Sequence, residues 1–479
     1  MNYPLILYSL GNLLKLLAVT MLLPIMIALK DRTTDAQALF WAMVLTLLVG
    51  LLLTLFKSEG KFGRREGFVI VGLGWVLIAA FGALPFYFSG AVHSYVDAYF
   101  ETMSGFTTTG STILTEIESL PRGILLWRSL THWLGGMGII VLSVAIFSIF
   151  GKGTTLFQAE VPGLTEERLL PRLKHTAFIL WLIYTILSFV QIIALTVVGM
   201  PLFDSVIHTF GSMATGGFSS RNISVEAYQS VPVEMIITFF MMLAGINFAL
   251  YYRIAEKRSL KPLIHDPETK GYLLILGLAT GLVALSLMLG MKQPFWEALR
   301  LAVFQVVSIC TTTGFSSDDF ALWPQFAQAV LFILMFIGGC TGSTGGAIKV
   351  ARIVLLVKYM KKTVQRVARP RMIIQTKLGD HHIPDSMMHD VLAFFFMYML
   401  LFVVGALIIA ATGLDLVSSF TAAAGTLGNI GPGLGKVGPL SNFAFTHPIA
   451  KWVMSFLMLA GRLEILTVMV MFSPSFWRR

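Results

Sequence analysis

The stretch TTTGFS, at Thr311–Ser316, decides how the rest of this chain is interpreted. It follows an amphipathic run, FWEALRLAVFQVVSIC, and runs into a turn, SSDDF. A short helix that enters the membrane part way and returns as a Thr/Gly strand is typical of ion filters, whose backbone carbonyls replace the hydration shell of the ion. Gly314 can adopt a positive φ, which lets successive carbonyls point to one side. The stretch therefore predicts a pore loop.

Similar stretches recur along the chain, and recurrence strengthens the prediction. They are TTTGST at 107–112, MATGGFS at 213–219 and GNIGPG at 428–433. Aligned on the glycine of GFS, the four stretches share one equivalent glycine, roughly every 100 residues, at Gly110, Gly217, Gly314 and Gly431. Gly428 is the alternative in the fourth stretch; we prefer Gly431 because GPG then aligns with GFS.

The composition excludes a soluble globular protein. Of the 479 residues, 56% are hydrophobic and 13% are charged, and several apolar runs reach the roughly 20 residues that a helix needs to cross a bilayer. The formal net charge of +10 does not indicate nucleic-acid binding, because the basic residues lie between the apolar runs, where the positive-inside rule places them. The two cysteines, Cys310 and Cys340, imply no disulfide framework.

These patterns predict an all-α polytopic membrane protein with four pseudo-symmetric repeats and an added N-terminal hairpin of two transmembrane helices. Each repeat has the order span, short pore helix, filter strand, span, as in potassium channels. The second spans of repeats two and four are expected over Met235–Tyr252 and Ile449–Phe472. The predicted boundaries are 1–60 for the hairpin and 61–172, 173–265, 266–380 and 381–479 for the repeats.

The charges between the spans predict one orientation. Basic residues follow repeats one and two and end the chain at Arg478 and Arg479, so both termini are expected to be cytoplasmic and all four filters to open outward. The segments after the filter strands instead carry Glu116, Glu118, Asp318 and Asp319. An acid near the start of each short helix predicts helix capping. These acids are Asp97, Asp204, Glu297 and Asp415.

A second glycine-rich stretch, GGCTGSTGGAIK at Gly338–Lys349, lies in the second span of repeat three. So many glycines cannot sustain a stable helix, and the spacing differs from that of a phosphate-binding loop. We expect a gate just below the filter that obstructs the pore and moves aside; a simple kink is the alternative. The residues assigned to this glycine-rich loop are Gly338, Gly339, Thr341, Gly342, Ser343, Thr344, Gly345 and Gly346.

Two further charged features are candidates for function. Arg462, in MLAGRLEI, lies within the last predicted span, where it either faces the cavity and repels cations or forms a salt bridge to a neighbouring repeat. The run from Lys349 to Lys377 holds nine Lys or Arg and no acid, which fits topology alone or the docking of an acidic partner or anionic lipid. A candidate metal site or solvated loop follows it at His381, His382 and His389.

Together these motifs, with CTGSTGGAIK and AGRLEI, resemble those of the Trk/Ktr/HKT superfamily of potassium transporters over essentially the whole chain. The N-terminal hairpin is most similar to the Trk branch. The resemblance implies potassium uptake across the bacterial inner membrane, with K⁺ as the transported ion and no bound cofactor. It also implies a homodimer resting on a cytosolic regulatory subunit of the TrkA type, which binds a nucleotide.

The resemblance also assigns roles to single residues. The glycine-rich break matches an intramembrane gating loop, and Arg462 matches an arginine below the filter. The fourth strand departs from the threonine pattern, so ion binding by its side chains is left open. Its backbone carbonyls can still bind the ion. The implied filter residues, which would bind potassium, are Thr108, Thr109, Gly110, Thr215, Gly216, Gly217, Thr312, Thr313, Gly314, Asn429, Ile430 and Gly431.

Three classes of function remain distinct at this point. A channel-like pore passes potassium down its electrochemical gradient, whereas a symporter coupled to sodium or protons needs a titratable or second-ion site within the membrane. Glu101, in the first short helix, is the one candidate for such a site. A membrane-embedded enzyme would need converging catalytic groups, and His132 stands alone in its span. We predict a gated potassium pore that is not an enzyme, with the symporter as the alternative.

Overall fold

Helices form nearly all of the structure. The computed structural model describes residues 1–56, 63–150, 166–369, 376–378 and 381–478. In lipid, every backbone N–H and C=O must be bonded within the protein, which favours helices. A short antiparallel hairpin of Thr376–Leu378 and His381–Ile383 is the small exception in this part of the chain. The predicted all-α polytopic membrane fold is confirmed.

Three of the sequence predictions fall outside this description. They are the metal site at the side chains of His381 and His382, the end of the basic run at Lys377, and the terminal charge of Arg479.

The N-terminal hairpin packs through two glycines. A methyl group placed on Gly11 would come 2.7 Å from the carbonyl oxygen of Gly50, so the two backbones are in direct contact. Small residues allow this close approach in lipid, where packing between helices replaces the hydrophobic effect. The helices are Tyr3–Thr20 and Leu22–Asp31 in the first arm and Asp35–Thr54 in the second.

After the hairpin, one arrangement occurs four times, and we call these units one to four. Each has a long helix, a short helix of 12 to 16 residues that is largely buried, and an irregular segment. The long helices are Arg64–Gly82 (continued by Leu84–Phe88), Glu166–Val197, Pro267–Met291 and Asp385–Ala411. Short helices 1 to 4 are Tyr95–Phe106, Leu202–Met213, Phe295–Cys310 and Leu416–Leu427.

The helices that close the four units differ. Unit one has a single helix, and the other three are interrupted. The closing helix of unit one is Arg122–Phe150. The closing helices of the other units are Val231–Ala244 and Phe248–Lys257 in unit two, Gln325–Leu334 and Val350–Ala368 in unit three, and Pro448–Arg462, Ile465–Met469 and Val470–Phe472 in unit four. The remaining helical turns are Ser224–Tyr228, Lys261–His265, Phe320–Leu322, Gly435–Val437 and Pro474–Trp477.

The spans predicted over Met235–Tyr252 and Ile449–Phe472 are therefore wrong as single straight helices. The first bends by 89° and the second by 116°. In unit two, the side chain of Asn247 accepts a hydrogen bond from the backbone N–H of Ala249 at 2.9 Å and so caps a new helix. In unit four, Glu464 has a φ of 62°, which ends the helix before it.

The long helices are suited to lipid. Six helices in the described chain are long and apolar enough to cross a bilayer, and the two bent pairs raise the number to eight. Large apolar side chains such as Leu278 and Phe396 point outward, 61% and 70% exposed. Exposed apolar surface of this extent is expected where the solvent is hydrocarbon.

The acids at the starts of the short helices only partly act as predicted. Asp415 caps short helix 4, because its Oδ2 accepts from the Ser418 N–H at 3.1 Å. Asp97 instead pairs with Lys451, with 2.7 Å between Oδ1 and Nζ. Asp204 accepts from the Ser220 hydroxyl at 2.7 Å. Capping is thus wrong for Asp97 and Asp204, whose carboxylates tie their helices to neighbouring segments.

Candidate functional site

Each short helix ends in the same left-handed turn. The residue two positions before the shared glycine has a positive φ, and so does the glycine. The pairs are Thr108 and Gly110 (51° and 87°), Thr215 and Gly217 (55° and 81°), Thr312 and Gly314 (61° and 78°), and Asn429 and Gly431 (54° and 101°). Threonine rarely adopts this conformation, so its recurrence at three equivalent positions marks constrained segments. Gly428 has a φ of −77°, so the shared conformation aligns Gly431 with the other three glycines.

One hydrogen bond fixes this turn in all four units. The backbone N–H just before the shared glycine donates to the carbonyl five residues earlier, inside the short helix. The pairs are Thr109 to Ser104, Gly216 to Gly211, Thr313 to Ser308 and Ile430 to Gly425, at 2.7 to 2.8 Å. We call the segments 107–110, 214–217, 311–314 and 428–431 the ring segments.

The ring segments touch one another in a closed order. A methyl group placed on Gly110 would come 2.1 Å from the carbonyl oxygen of Gly216 in the next segment. The other distances are 2.1 Å from Gly217 to Thr313, 1.9 Å from Gly314 to Ile430 and 2.7 Å from Gly431 back to Thr109. Four carbonyl oxygens from equivalent positions therefore surround one axis. We call them the carbonyl ring; its oxygens belong to Thr109, Gly216, Thr313 and Ile430.

Side-chain hydrogen bonds stabilise the ring segments, both within a segment and between two of them. In two segments the hydroxyls of the first and third threonine lie 2.8 Å apart, Thr107 with Thr109 and Thr311 with Thr313. Asn429, which departs from the threonine pattern, donates through Nδ2 to the Thr109 hydroxyl at 3.0 Å and so ties the fourth segment to the first. The hydroxyl of Thr108 is buried and finds no hydrogen-bond partner within the described residues.

The glycine-rich loop lies against the C-terminal ends of the short helices. The backbone N–H of Gly346 donates to the Thr312 hydroxyl at 2.7 Å, and a methyl group on Gly346 would come 2.3 Å from the Gly428 carbonyl oxygen. The Thr344 hydroxyl donates to the carbonyl of Met213 at 3.1 Å. The loop thus contacts units two, three and four immediately beside the ring segments.

Backbone hydrogen bonds hold the loop in place. Gly338 donates to the carbonyl of Ile348 at 2.9 Å and closes the loop at its base. Cys340 donates to the carbonyl of Gly245, at the bend of unit two, at 2.8 Å. Irregular backbone at membrane depth is stable only where protein buries it, and here the bend of another unit does so.

Arg462 is the last residue of its helix, beside the bend of unit four, rather than in the middle of a straight span. Its side chain is 3% exposed, and its Nη1 donates to the carbonyl of Thr344 at 2.5 Å. Its Nη2 donates to the carbonyl of Gly135 at 3.3 Å, and Gly135 packs on the Phe106 carbonyl at the end of short helix 1. Arg462 and the loop together contact all four units.

The salt bridge considered for Arg462 is not formed within the described residues. Its neighbour Glu464 pairs with Arg352 instead. The guanidinium of Arg462 is bound by carbonyl oxygens, so its positive charge is not neutralised by a carboxylate at this depth.

Comparison with known proteins agrees with this architecture. A family model described as "TrkH: Cation transport protein" matches residues 35–479. The chain belongs to the TrkH family. The Trk system potassium uptake protein TrkH of Salmonella typhimurium is 42% identical over 477 residues, 98% of each chain. TrkG of Escherichia coli K12, another Trk system potassium uptake protein, is 34% identical over 98% of this chain and 97% of its own.

A solved structure matches the TrkH-family fold of this chain. The crystal structure of the potassium transporter TrkH from Vibrio parahaemolyticus aligns over 100% of both chains with a TM-score of 0.92, at 36% sequence identity. The resemblance inferred from the motifs is therefore confirmed. Because the family consists of cation transport proteins, the prediction that the chain is not an enzyme is confirmed as well.

Glu101, considered as a coupling site, is part of a buried ion pair in this TrkH-family chain. Its Oε1 lies 2.7 Å from Nε of Arg128, and both side chains are at most 1% exposed. Its Oε2 accepts from the Ile113 N–H at 2.9 Å, and Arg128 Nη1 donates to the carbonyl of Ser219 at 2.9 Å. The pair joins the chain just beyond the first and second ring segments, and its net charge is zero.

His132 packs behind the ring. Its Nδ1 lies 2.7 Å from the carbonyl oxygen of Gly105, and its ring stacks on Phe218 with 3.9 Å between the centroids. A methyl group on Gly216 would come 2.5 Å from the imidazole. His132 thus supports the second ring segment, and no catalytic group of the described chain is hydrogen-bonded to it.

Acidic side chains lie where the chain leaves the ring segments. Glu226 follows the second segment, and Asp318 follows the third, where its carboxylate accepts from the Trp323 indole at 2.6 Å. Burial, and then the charges of Asp318 and Asp319, raise the pKa of Glu226 above its ordinary value. The smaller contribution from Asp318 and Asp319 shows that several carboxylates lie close together on this side of the ring.

Sequence reasoning missed two charged residues that contact the site. Arg128 and Glu268 lie at or near apolar spans, and charge in such a position is itself a signal. What the sequence could not supply was their partners, which come from distant parts of the chain.

Replacing Gly314 by alanine tests the carbonyl ring. The new methyl group would meet the Ile430 carbonyl at 1.9 Å, and φ is 78°, so we expect potassium or rubidium flux to fall by about tenfold or more. Gly277→Ala is the matched control, because no atom lies within 4 Å of its added methyl group. Flux through both variants is measured in liposomes; equal flux would contradict a close-packed ring.

Replacing Glu101 by glutamine tests the buried pair. The charge of Arg128 would remain buried without its partner, so we expect a loss of about 3 to 5 kcal/mol in unfolding free energy. Removing the guanidinium of Arg122, which is 51% exposed and 3.4 Å from Asp31, should cost at most about 1 kcal/mol. Unfolding in detergent compares the two; a loss no greater than that of the Arg122 variant would argue against a structural pair.

Proposed function

We propose that this chain takes up potassium across the bacterial inner membrane through a central pore whose filter is the carbonyl ring. The observation that carries the proposal is the closed order of the four ring segments. Carbonyl oxygens around one axis can replace the hydration shell of a potassium ion without a carboxylate. The filter would comprise Thr108, Thr109, Gly110, Thr215, Gly216, Gly217, Thr312, Thr313, Gly314, Asn429, Ile430 and Gly431.

The helices add to the preference for a cation. All four short helices end at ring segments, so the negative ends of their dipoles lie beside the proposed ion site. The hydroxyl of Thr108, which has no hydrogen-bond partner in the described part of the chain, would supply a further oxygen. The ion would be stabilised by fixed dipoles rather than by a fixed charge. Such moderate binding suits a monovalent ion that must also leave the site.

The glycine-rich loop would be the gate, and its position beside the ring segments would block the pore. Its contacts with Thr312, Met213 and the Gly428 carbonyl place it beside the ring at the helix ends. The charge of Arg462, bound to the Thr344 carbonyl, would raise the electrostatic barrier for a cation at the same level. Movement of the loop would remove the steric barrier, and displacement of the Arg462 side chain with it would lower the electrostatic barrier.

A channel-like mechanism accounts for the described residues better than coupled symport. Glu101 was the one candidate for a coupling site, and its carboxylate is bound by Arg128 and by backbone and hydroxyl donors. A group held in this way cannot easily exchange a proton or a sodium ion during transport. Potassium would then flow down its electrochemical gradient.

The names of the relatives support an assembly. Proteins named as parts of a Trk system are 34% to 42% identical to this chain over nearly its whole length, which supports association with further Trk components. We propose a homodimer on a cytosolic, nucleotide-binding regulatory subunit of the TrkA type. Basic residues after units one and two and at the end of the chain support cytoplasmic termini.

Ion flux in liposomes tests the proposal. With the purified full-length chain, potassium and rubidium should cross without a sodium or proton gradient, and sodium and lithium should cross more slowly. If the closed gate suppresses flux, deletion of residues 341–346 should restore it. If flux through both the full-length chain and the deletion variant needs a second ion gradient, symport is favoured. Sodium flux equal to potassium flux would contradict the filter.

Removing the charge of Arg462 tests the barrier. Arg462→Ala loses both the charge and the bond to Thr344, so we expect flux to rise by about tenfold. Arg462→Lys keeps the charge and should stay near the parent protein. Unchanged flux through the alanine variant at normal expression would show that this arginine does not limit conduction.

A further inference from the structure

One carboxylate outside the proposed pore contacts both ends of the glycine-rich loop. Glu268 lies in the first turn of the helix Pro267–Met291 and is 8% exposed. Its Oε1 accepts from the Thr341 N–H at 2.7 Å and from the Thr341 hydroxyl at 3.0 Å, near the start of the loop. The same oxygen accepts from the Ala351 N–H at 3.0 Å, just after the loop.

The contact with Ala351 also caps a helix. Val350–Ala368 has 19 residues, and its preceding residue, Lys349, forms no side-chain capping bond. The first N–H groups of a helix need acceptors, and a negative charge at this end is favourable. Glu268 supplies both from a different helix. The start of Val350–Ala368 therefore cannot move away without breaking this bond.

The loop itself is not in a relaxed conformation. Ala347 has a φ of 49°, in the left-handed region that is unfavourable for a residue with a Cβ. A loop with an unfavourable backbone conformation keeps it only if contacts with the surrounding structure stabilise it. The three hydrogen bonds to Glu268 are of the charge-assisted kind, which is stronger than bonds between neutral groups.

A second carboxylate holds the same helix but not the loop. Glu464, from the bend of unit four, pairs with Arg352 in the first turn of Val350–Ala368. Glu268 differs from it because its bonds to Thr341 and Ala351 cross the loop from one end to the other. Glu268 thus adds a side-chain link between loop and helix to the backbone bond from the Val350 N–H to the Gly339 carbonyl, at 3.2 Å.

We propose that Glu268 is a positioning residue that latches the glycine-rich loop in its pore-blocking position. Opening then requires its carboxylate to release Thr341 and Ala351, so that a displacement of the helix Val350–Ala368 is transmitted to the loop. The inference rests on the proposed function, because it takes the loop as the gate.

Rubidium flux in liposomes that carry the full-length chain alone tests the latch. Glu268→Ala removes all three bonds and should raise flux by about tenfold or more, equivalent to about 1.4 kcal/mol in the closed-to-open equilibrium. Thr341→Val removes only the hydroxyl bond and should raise flux by a smaller factor. Glu268→Gln keeps an acceptor oxygen without the charge and should lie between the parent protein and the alanine variant.

Asp266 offers a matched control on the same helix. Its Oδ2 accepts from the N–H and the hydroxyl of Thr269, both at 2.7 Å, so it caps the helix locally without bonding the loop. Asp266→Ala should lower thermal stability and leave flux unchanged. A merely structural role of Glu268 would make its alanine variant behave in the same way, because loss of stability does not increase conduction.

Deletion of residues 341–346 separates the latch from the gate. If the deletion raises flux while Glu268→Ala and Thr341→Val do not, the latch is overturned and the gate stands. If the deletion has no effect on flux, the gating role of the loop is wrong, and the latch fails with it. If Glu268→Ala does not fold, unchanged flux through both Thr341→Val and Glu268→Gln overturns the latch.

Discussion

The need to satisfy every backbone polar group inside the membrane governs this structure. A helix that stops within the bilayer exposes carbonyls that lipid cannot bond. Four helices stop here, and each tolerates this because its ring segment turns back through a bond such as that from the Thr109 N–H to the Ser104 carbonyl. Each oxygen of the carbonyl ring lies against the glycine of a neighbouring ring segment instead of lipid. The ring is thus stable only as a set of four, which explains why the stretch recurs along the chain.

The pattern of short motifs was enough to predict the fold and the alignment of the four segments. Four Thr/Gly stretches at similar intervals indicated a shared axis, and the GPG match selected Gly431 over Gly428, in agreement with the shared positive φ. This success has a physical cause, because a left-handed turn and close contact of backbones restrict which residues fit. Local constraints of this kind are readable from a sequence.

Other features depend on contacts between distant residues and could not be read in the same way. The bend after Ala244 carries no proline, and the bend at Glu464 lies in an otherwise apolar helical pattern. Glu101 resembled a coupling site because its partner, Arg128, lies 27 residues away on another helix. A charge in a membrane span signals importance, but only the three-dimensional partner decides between ion binding and structural pairing.

The polar contacts around the axis fall into two groups with different mechanical consequences. Beyond the ring, Arg128 bonds both Glu101 and the Ser219 carbonyl, and this buried network fixes units one and two to each other. On the other side, the loop is held by hydrogen bonds from several units, including two from Thr341 to Glu268, and contains Ala347 in an unfavourable conformation. A rigid network next to a filter preserves the spacing of its oxygens, whereas a strained loop held by a few replaceable bonds can move. The buried ion pair therefore lies beside the proposed filter, and the more easily broken loop contacts lie beside the proposed gate.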